Sequence, residues 1–249
     1  MIYRINLLFF IFYLVSSSAY AATLFGIVSE RSATELAAGA AQFNKSNPGH
    51  KLIFRTPSQL AKLTDNQIAN YIKNSDAVLL AAVFGDSVIR VERILKSIQL
   101  RADVPVFATN SDYRITRLSH LKGTNVFKNI DNKTLRKLTR SPNYDVKYSE
   151  YVVKLAKQYP EQSQWLSVRK YWQGRGSHNM AGLIGWLLHS SDNSIQILKP
   201  QEQSAIRYYQ QGRVKPVNEL TFNSKPVTII LDHNTGDRAG DRDLLDAVC

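Results

Sequence analysis

The chain holds a single cysteine, Cys249, at its last position. An internal disulfide and a cysteine-based metal site are therefore both excluded. Five histidines are scattered, with no H-E-x-x-H and no pair three to five residues apart, so no metal ligand set is assigned. Acidic residues are few, 20 against 32 Lys+Arg, which leaves a net charge of +12. That balance suits nucleic acid, an anionic membrane surface or an acidic small molecule. The basic region 133–175 nevertheless carries Asp145, Glu150 and Glu161, and no aromatic-studded basic strand of the kind that reads single strands is found. Nucleic acid is accordingly not expected as a partner. Long apolar runs are also missing. The longest near the start, Leu7–Val15, has nine residues, well short of the ~20 a membrane-spanning helix needs.

What is present begins with that short run. Arg4 precedes it, and small polar residues ending in Ala19-Tyr20-Ala21 follow, the layout of a signal peptide over residues 1–21 with cleavage after Ala21. Export, to the periplasm, is expected; the alternative is an uncleaved N-terminal anchor. The remaining chain is long enough to bury one core.

Strand and helix patterns alternate through the first half. Apolar runs at 23–29, 51–56, 76–84 and 104–110 read as strands. Between them lie a helix opened by a Ser32–Glu35 capping box, a helical region from Pro57 to about Asn74, and a helix over 87–98 with Val88, Val91, Ile94, Leu95 and Ile98 on one face. The fold class is α/β, with a Rossmann- or flavodoxin-like open parallel sheet. The turn after the first strand, VSERSATE, lacks G-x-G-x-x-G, so a dinucleotide site is not expected. Ligands in such sheets sit beyond the carboxyl ends of the strands, here Ser29–Ser32, Thr56–Ser58, Phe84–Asp86 and Thr109–Asp112. Those loops suit a site, and they are also what any βα loop looks like.

The organisation expected is an α/β domain over 22–125, a helical segment over 126–192, and a β-containing segment over 193–249 that starts a second α/β unit. Helices are expected at 131–140, 146–158, 161–173 and 178–189. Strand-like pieces follow in SIQILKP, IRYYQQGRVKP and KPVTIILDH. The last is succeeded by a polar loop and about two helical turns, so the chain reads as a fragment of a longer protein or as an interrupted reading frame, the alternative being a naturally short helical tail.

The stretch YWQGRGSHNMAGLIGWLL, residues 171–188, is a candidate site. Gly174 and Gly176 make a turn and Ser177 is the expected N-cap of the next helix. Met180, Leu183, Ile184, Leu187 and Leu188 form its buried face, while His178, Gly182, Gly185 and His189 lie on another. The glycines admit either a neighbouring helix or a flat ligand. His178 and His189 are about 16 Å apart along the axis and cannot share a metal. Arg175 with the helix N-terminus could hold a carboxylate or phosphate, and Tyr171 and Trp172 could stack on a flat ring. Equally, the aromatics could be core and Arg175 solvated.

Four segments together carry a family resemblance. They are IVSERSATELAAGAAQFNKSNPGHKLIFRTPSQL, SDAVLLAAVFGDSVIRVERIL, the 171–188 hinge and PVTIILDHNTGDRAGDRDLLDAV. The series resembles the N-terminal region of the CobN/BchH family, the large tetrapyrrole-binding subunits of cobaltochelatase and magnesium chelatase, and is closer to the cobalt type. Tyr171, Trp172, Gly174 and Asn179 occupy the family's Y-W-x-G turn and following Asn. The resemblance implies a corrin or other tetrapyrrole as substrate, Co²⁺ inserted into it, and ATP hydrolysed on separate AAA+ subunits. It implies no catalytic residue in this chain, because most of the family's active site lies beyond the matching region. The ligand-binding residues it points to are Tyr171, Trp172, Gly174, Arg175, His178 and Asn179. An exported, non-enzymatic tetrapyrrole- or metal-binding protein is the alternative, and a periplasmic solute-binding lobe for an anion a third. No cofactor is assigned to the chain itself.

Overall fold

A computed structural model of the chain describes residues 21–140, 154, 157–158, 160–201, 208–210 and 213–215. The expected leader, most of the helix expected over 146–158, and the strand expected in KPVTIILDH with its following turns lie outside the described residues.

Four of the apolar runs form parallel strands: β1 (Thr23–Val28), β2 (Lys51–Arg55), β3 (Ala77–Ala81) and β4 (Val106–Thr109). Their order is β2-β1-β3-β4, the flavodoxin-like arrangement in which the winding direction reverses between β1 and β3. Every residue of β3 is buried, which is why it reads as an unbroken apolar run. Two short strands, β5 (His120–Leu121) and β6 (Thr124–Asn125), extend the β4 edge antiparallel. Lys122 and Gly123 turn between them at φ 47° and 76°, and two consecutive positive φ values are what a type I′ hairpin requires.

Helices cover both faces. Side chains alternate along each strand, so Phe25, Ile27, Val78 and Leu80 point to one layer. There they meet Ile68 and Ile72 of α3 (Asp65–Lys73), Val88, Val91, Ile94 and Leu95 of α4 (Ser87–Ser97), and Ile115 of α5 (Tyr113–Thr116). Leu24, Val28, Leu79 and Phe107 point the other way, onto α1 (Glu30–Ser46), α6 (Asn132–Arg140), α7 (Pro160–Gly174) and α8 (Gly176–Leu188). Trp165 of α7 is the largest fully buried side chain among the described residues. Its ring edge meets Phe127 at 5.2 Å, and its indole N–H donates to Ala108 O at 2.8 Å. Helices of the 126–192 segment thus share one core with the β-sheet.

Several local expectations are corrected. The helical region from Pro57 splits into α2 (Pro57–Leu60) and α3, because Thr64 starts a new helix. Thr64 Oγ1 accepts from Gln67 N at 3.2 Å, and Gln67 Oε1 accepts from Thr64 N at 2.8 Å, a reciprocal capping box. The Ser32–Glu35 pair is no capping box: α1 begins one turn earlier, after Ser29, leaving Ser32 buried and Glu35 free to reach elsewhere. SIQILKP is not a strand. Its residues run as turn and irregular backbone, and side chains of α7 and α8 bond Leu198 O, Lys199 O and Gln201 instead. IRYYQQGRVKP does contain a hairpin, β7 (Tyr208–Gln210) pairing antiparallel with β8 (Arg213–Lys215).

Surface carboxylates make the fold acid-sensitive. The backbone N–H of Ser58 donates to Glu30 Oε1 at 3.0 Å and holds that carboxyl below its ordinary value. Thr134 does the same for Asp131, and Arg90 for Asp65. Depressed folded-state values contribute stability above the unfolded pKa that is lost as pH falls through the folded one. Unfolding free energy should therefore decline as pH drops below about 4. Glu30→Gln should flatten part of that slope in denaturant titrations; an unchanged slope would remove Glu30 from the account.

Candidate functional site

The hinge between α7 and α8 is built by close approach. A Cβ on Gly174 would stand 2.4 Å from Asn179 Nδ2 and 2.5 Å from Gln201 O, so only glycine ends α7 here. Arg175 and Gly176 then turn the chain at φ 53° and 76°. Arg175, not Ser177, is the N-cap of α8, which begins at Gly176. The turn is complete two residues earlier than its glycine spacing suggested.

All six predicted residues come together at this hinge, and they engage the protein itself. Arg175 places its guanidinium 2.7 Å from Glu35 Oε2 and 5.0 Å over the Trp172 ring. Burial lowers the Arg175 pKa, and the Glu35 charge opposes that shift. Glu35 also accepts a hydrogen bond from Gly176 N, at the first turn of α8. Asn179 is buried and saturated: Nδ2 donates to Arg175 O at 2.8 Å and Gln201 O at 2.9 Å, while Oδ1 accepts from Gln201 N at 2.8 Å. Tyr171 is buried with its hydroxyl donating to Leu198 O at 2.6 Å, and Trp172 is equally buried. His178, partly exposed, bonds Lys199 O through Nε2 at 3.2 Å.

The neighbour admitted by the α8 glycines is part of the chain. A Cβ on Gly182 would meet the Tyr171 ring at 2.7 Å, and one on Gly185 would touch Ile195 at 3.4 Å. Helix α8 is apolar on nearly all sides and is packed on nearly all sides. Glu35 is the residue sequence reasoning missed. Its only local signal, three residues after a serine, pointed to a cap.

A second locus is the carboxyl edge of the sheet, where winding reverses. Ser29 N donates to Ala81 O at 3.2 Å, joining the ends of β1 and β3. Ala82, the next residue, sits at φ 56° although it is not glycine, and Asn110 beyond β4 sits at φ 47°. Both are held by bonds around them. Ala82 N donates to Thr109 O at 3.1 Å, Val83 N to Ser111 Oγ at 3.0 Å, and Asp112 N to Val83 O at 3.0 Å. Left-handed non-glycine residues persist where surroundings over-determine them, and they cluster at ligand sites. Phe84, two residues beyond Ala82, is 53% exposed and Ile89 of α4 63%, the two most exposed large apolar side chains among the described residues. The strand ends were legible in the sequence; the strain was not. Replacing Ala82 by glycine removes a Cβ clash of about 1–2 kcal/mol and costs about 0.5–1 kcal/mol of chain entropy. Ala82→Gly should thus unfold at equal or slightly higher denaturant, and a marked loss would contradict a strained Ala82.

Among the described residues no group of three or more His, Cys, Asp or Glu is placed to hold a metal ion. No helix among them is long and apolar enough to cross a membrane. No protein-family model matches the chain, and no curated protein does.

Proposed function

We propose that this chain is the N-terminal, non-catalytic part of an exported cobaltochelatase-type large subunit, and that it helps hold a corrin ring for Co²⁺ insertion in cobalamin biosynthesis. Co²⁺ is substrate in this reading, and ATP is spent on AAA+ partner subunits. The ordered series of segments resembling the CobN/BchH family is its first support. The geometric support is the carboxyl edge of the sheet, where Ala82 and Asn110 hold left-handed backbone and Phe84 and, on α4, Ile89 are exposed. A corrin is a broad, partly apolar ring edged with carboxylates, and this edge offers apolar surface near the first turn of α1. The hinge fits such a ring poorly, because Tyr171 and Trp172 are buried and Arg175 faces Glu35. In this reading the strand ends, rather than the hinge, take the ring.

Titration of the purified chain with hydrogenobyrinic acid a,c-diamide should shift the visible spectrum, and Phe84→Ala should weaken the binding. No shift would sink the reading, and thermal stabilisation by a simple organic anion instead would favour the solute-binding lobe. The leader-like residues 1–21 favour one second reading, an exported tetrapyrrole- or metal-binding protein that performs no insertion. A spectral shift, with gene sequence beyond the Cys249 codon that carries no further coding resemblance to the family in any frame, would select it.

A further inference from the structure

The cleavage expected after Ala21 would turn the backbone nitrogen of Ala22 into a free α-amino group. In the fold that nitrogen is not loose. Ala22 is fully buried, and its N–H donates to His50 Nδ1 at 3.2 Å. Its carbonyl accepts from Lys51 N at 3.0 Å, and the next amide, Thr23 N, donates to Asp76 Oδ2 at 2.9 Å. The ordered strand is thus pinned from the first residue after the junction, while Ala21 is exposed.

His50 is itself held. Because Nδ1 accepts from Ala22, the ring proton of neutral His50 belongs on Nε2, which lies 3.5 Å from Asp192 Oδ2. The Phe43 ring packs against the imidazole at 5.7 Å. Asp192 stays ionised below its ordinary range, held first by hydrogen bonds from the Ser194 side chain and backbone, then by His50 and His189. The resulting relay runs from Ala22 N through the imidazole to a carboxylate. It lies at the amino edge of the sheet, away from the carboxyl ends of the strands.

We propose that cleavage of the Ala21–Ala22 peptide bond by water, catalysed by a signal peptidase, leaves an α-ammonium group that docks on His50 and Asp192. The new N-terminus is thereby recognised by the folded protein. Hydrolysis gives the Ala21 carboxylate on the released leader and the amine on Ala22. A neutral amide donor becomes a charged one, and charge-assisted hydrogen bonds are about twice as strong. Asp192 supplies the compensating charge through the ring. The exposed Ala21 side lets the remaining ammonium protons stay in water, so the desolvation cost is small. Because Ala22 is buried after folding, cleavage precedes docking of β1.

This inference rests on the export reading, and the two can fail separately. The precursor is produced with its leader in an exporting host, and the product's first residue is read by mass and Edman sequencing. A product retained with Met1 sinks the export reading and the inference together; export with a first residue other than Ala22 sinks only the inference. Docking is tested on chains made to begin at Ala22 or at Ala21. The Ala22 form should melt about 2–4 °C higher. In a His50→Ala background, folded but less stable, that difference should vanish, whereas equal melting of the two wild-type forms, or a difference that survives His50→Ala, would overturn the proposal.

Discussion

Glu35→Ala should cost about 3–5 kcal/mol of unfolding free energy, the usual penalty for removing one member of a buried ion pair. Both side chains of the Glu35–Arg175 pair are nearly buried, at 14% and 13% exposure, so solvent screening discounts the figure only slightly. The substitution removes two things at once. Arg175 loses its counter-charge in a site where burial already disfavours the guanidinium, and Gly176 loses the acceptor for its backbone N–H. Glu35→Gln should cost less, because its amide oxygen can still accept from Gly176. The double change Glu35→Leu with Arg175→Leu should recover much of the loss, since neither charge then remains to be desolvated. Denaturant unfolding of wild type, Glu35→Leu, Arg175→Leu and the double variant completes the cycle. A Glu35→Ala chain as stable as wild type would show that the contact contributes nothing. Arg175→Ala should destabilise similarly while leaving corrin affinity unchanged, since the proposed ring site is elsewhere.

Gly39→Ala should destabilise by about 1–3 kcal/mol, although alanine is the better helix former by about 1 kcal/mol. The sign is decided by what the new methyl would meet. At Gly39 it would lie 2.2 Å from Met180 Cβ and 3.0 Å from Ala181 N, so the obstacle is the body of α8 rather than a side-chain tip that can swing away. Helices α1 and α8 would have to separate along their shared face, loosening Leu36, Phe43, Leu183 and Ile184. Gly39→Val should be worse. Gly185→Ala is the internal control. Its methyl would make an ordinary 3.4 Å contact with Ile195, so propensity wins and stability should hold or rise. Equal effects at Gly39 and Gly185 would mean that the close approach of α1 and α8 is not what requires glycine.

Residue periodicity carried much of the architecture. The run at 77–81 is apolar because β3 is covered on both faces, and Val88, Val91, Ile94 and Leu95 recur at helical spacing because one face of α4 is buried. Strand order and the added β5–β6 edge are not written in any local pattern, since pairing partners are chosen by crossovers and packing. The helix start at Thr64 is not among the expected breaks, although its capping box is present in the sequence; the break at the Gly174–Ser177 turn is legible, and only its cap differs, because Arg175 adopts a left-handed φ without being glycine.

At the candidate site the division is sharper. From sequence alone come the α/β class, the polar strand ends as the natural ligand edge, and the Tyr171–Asn179 cluster as a place where aromatic, cationic and glycine residues meet. Only the tertiary structure decided which way that cluster faces. Arg175 meets Glu35 across about 140 residues of chain, Asn179 is saturated by Gln201, and Tyr171 fills the space over Gly182. A local pattern records which groups a segment carries. Their partners come from distant segments, and a buried charge or amide settles on whichever of them completes its hydrogen bonds at least cost.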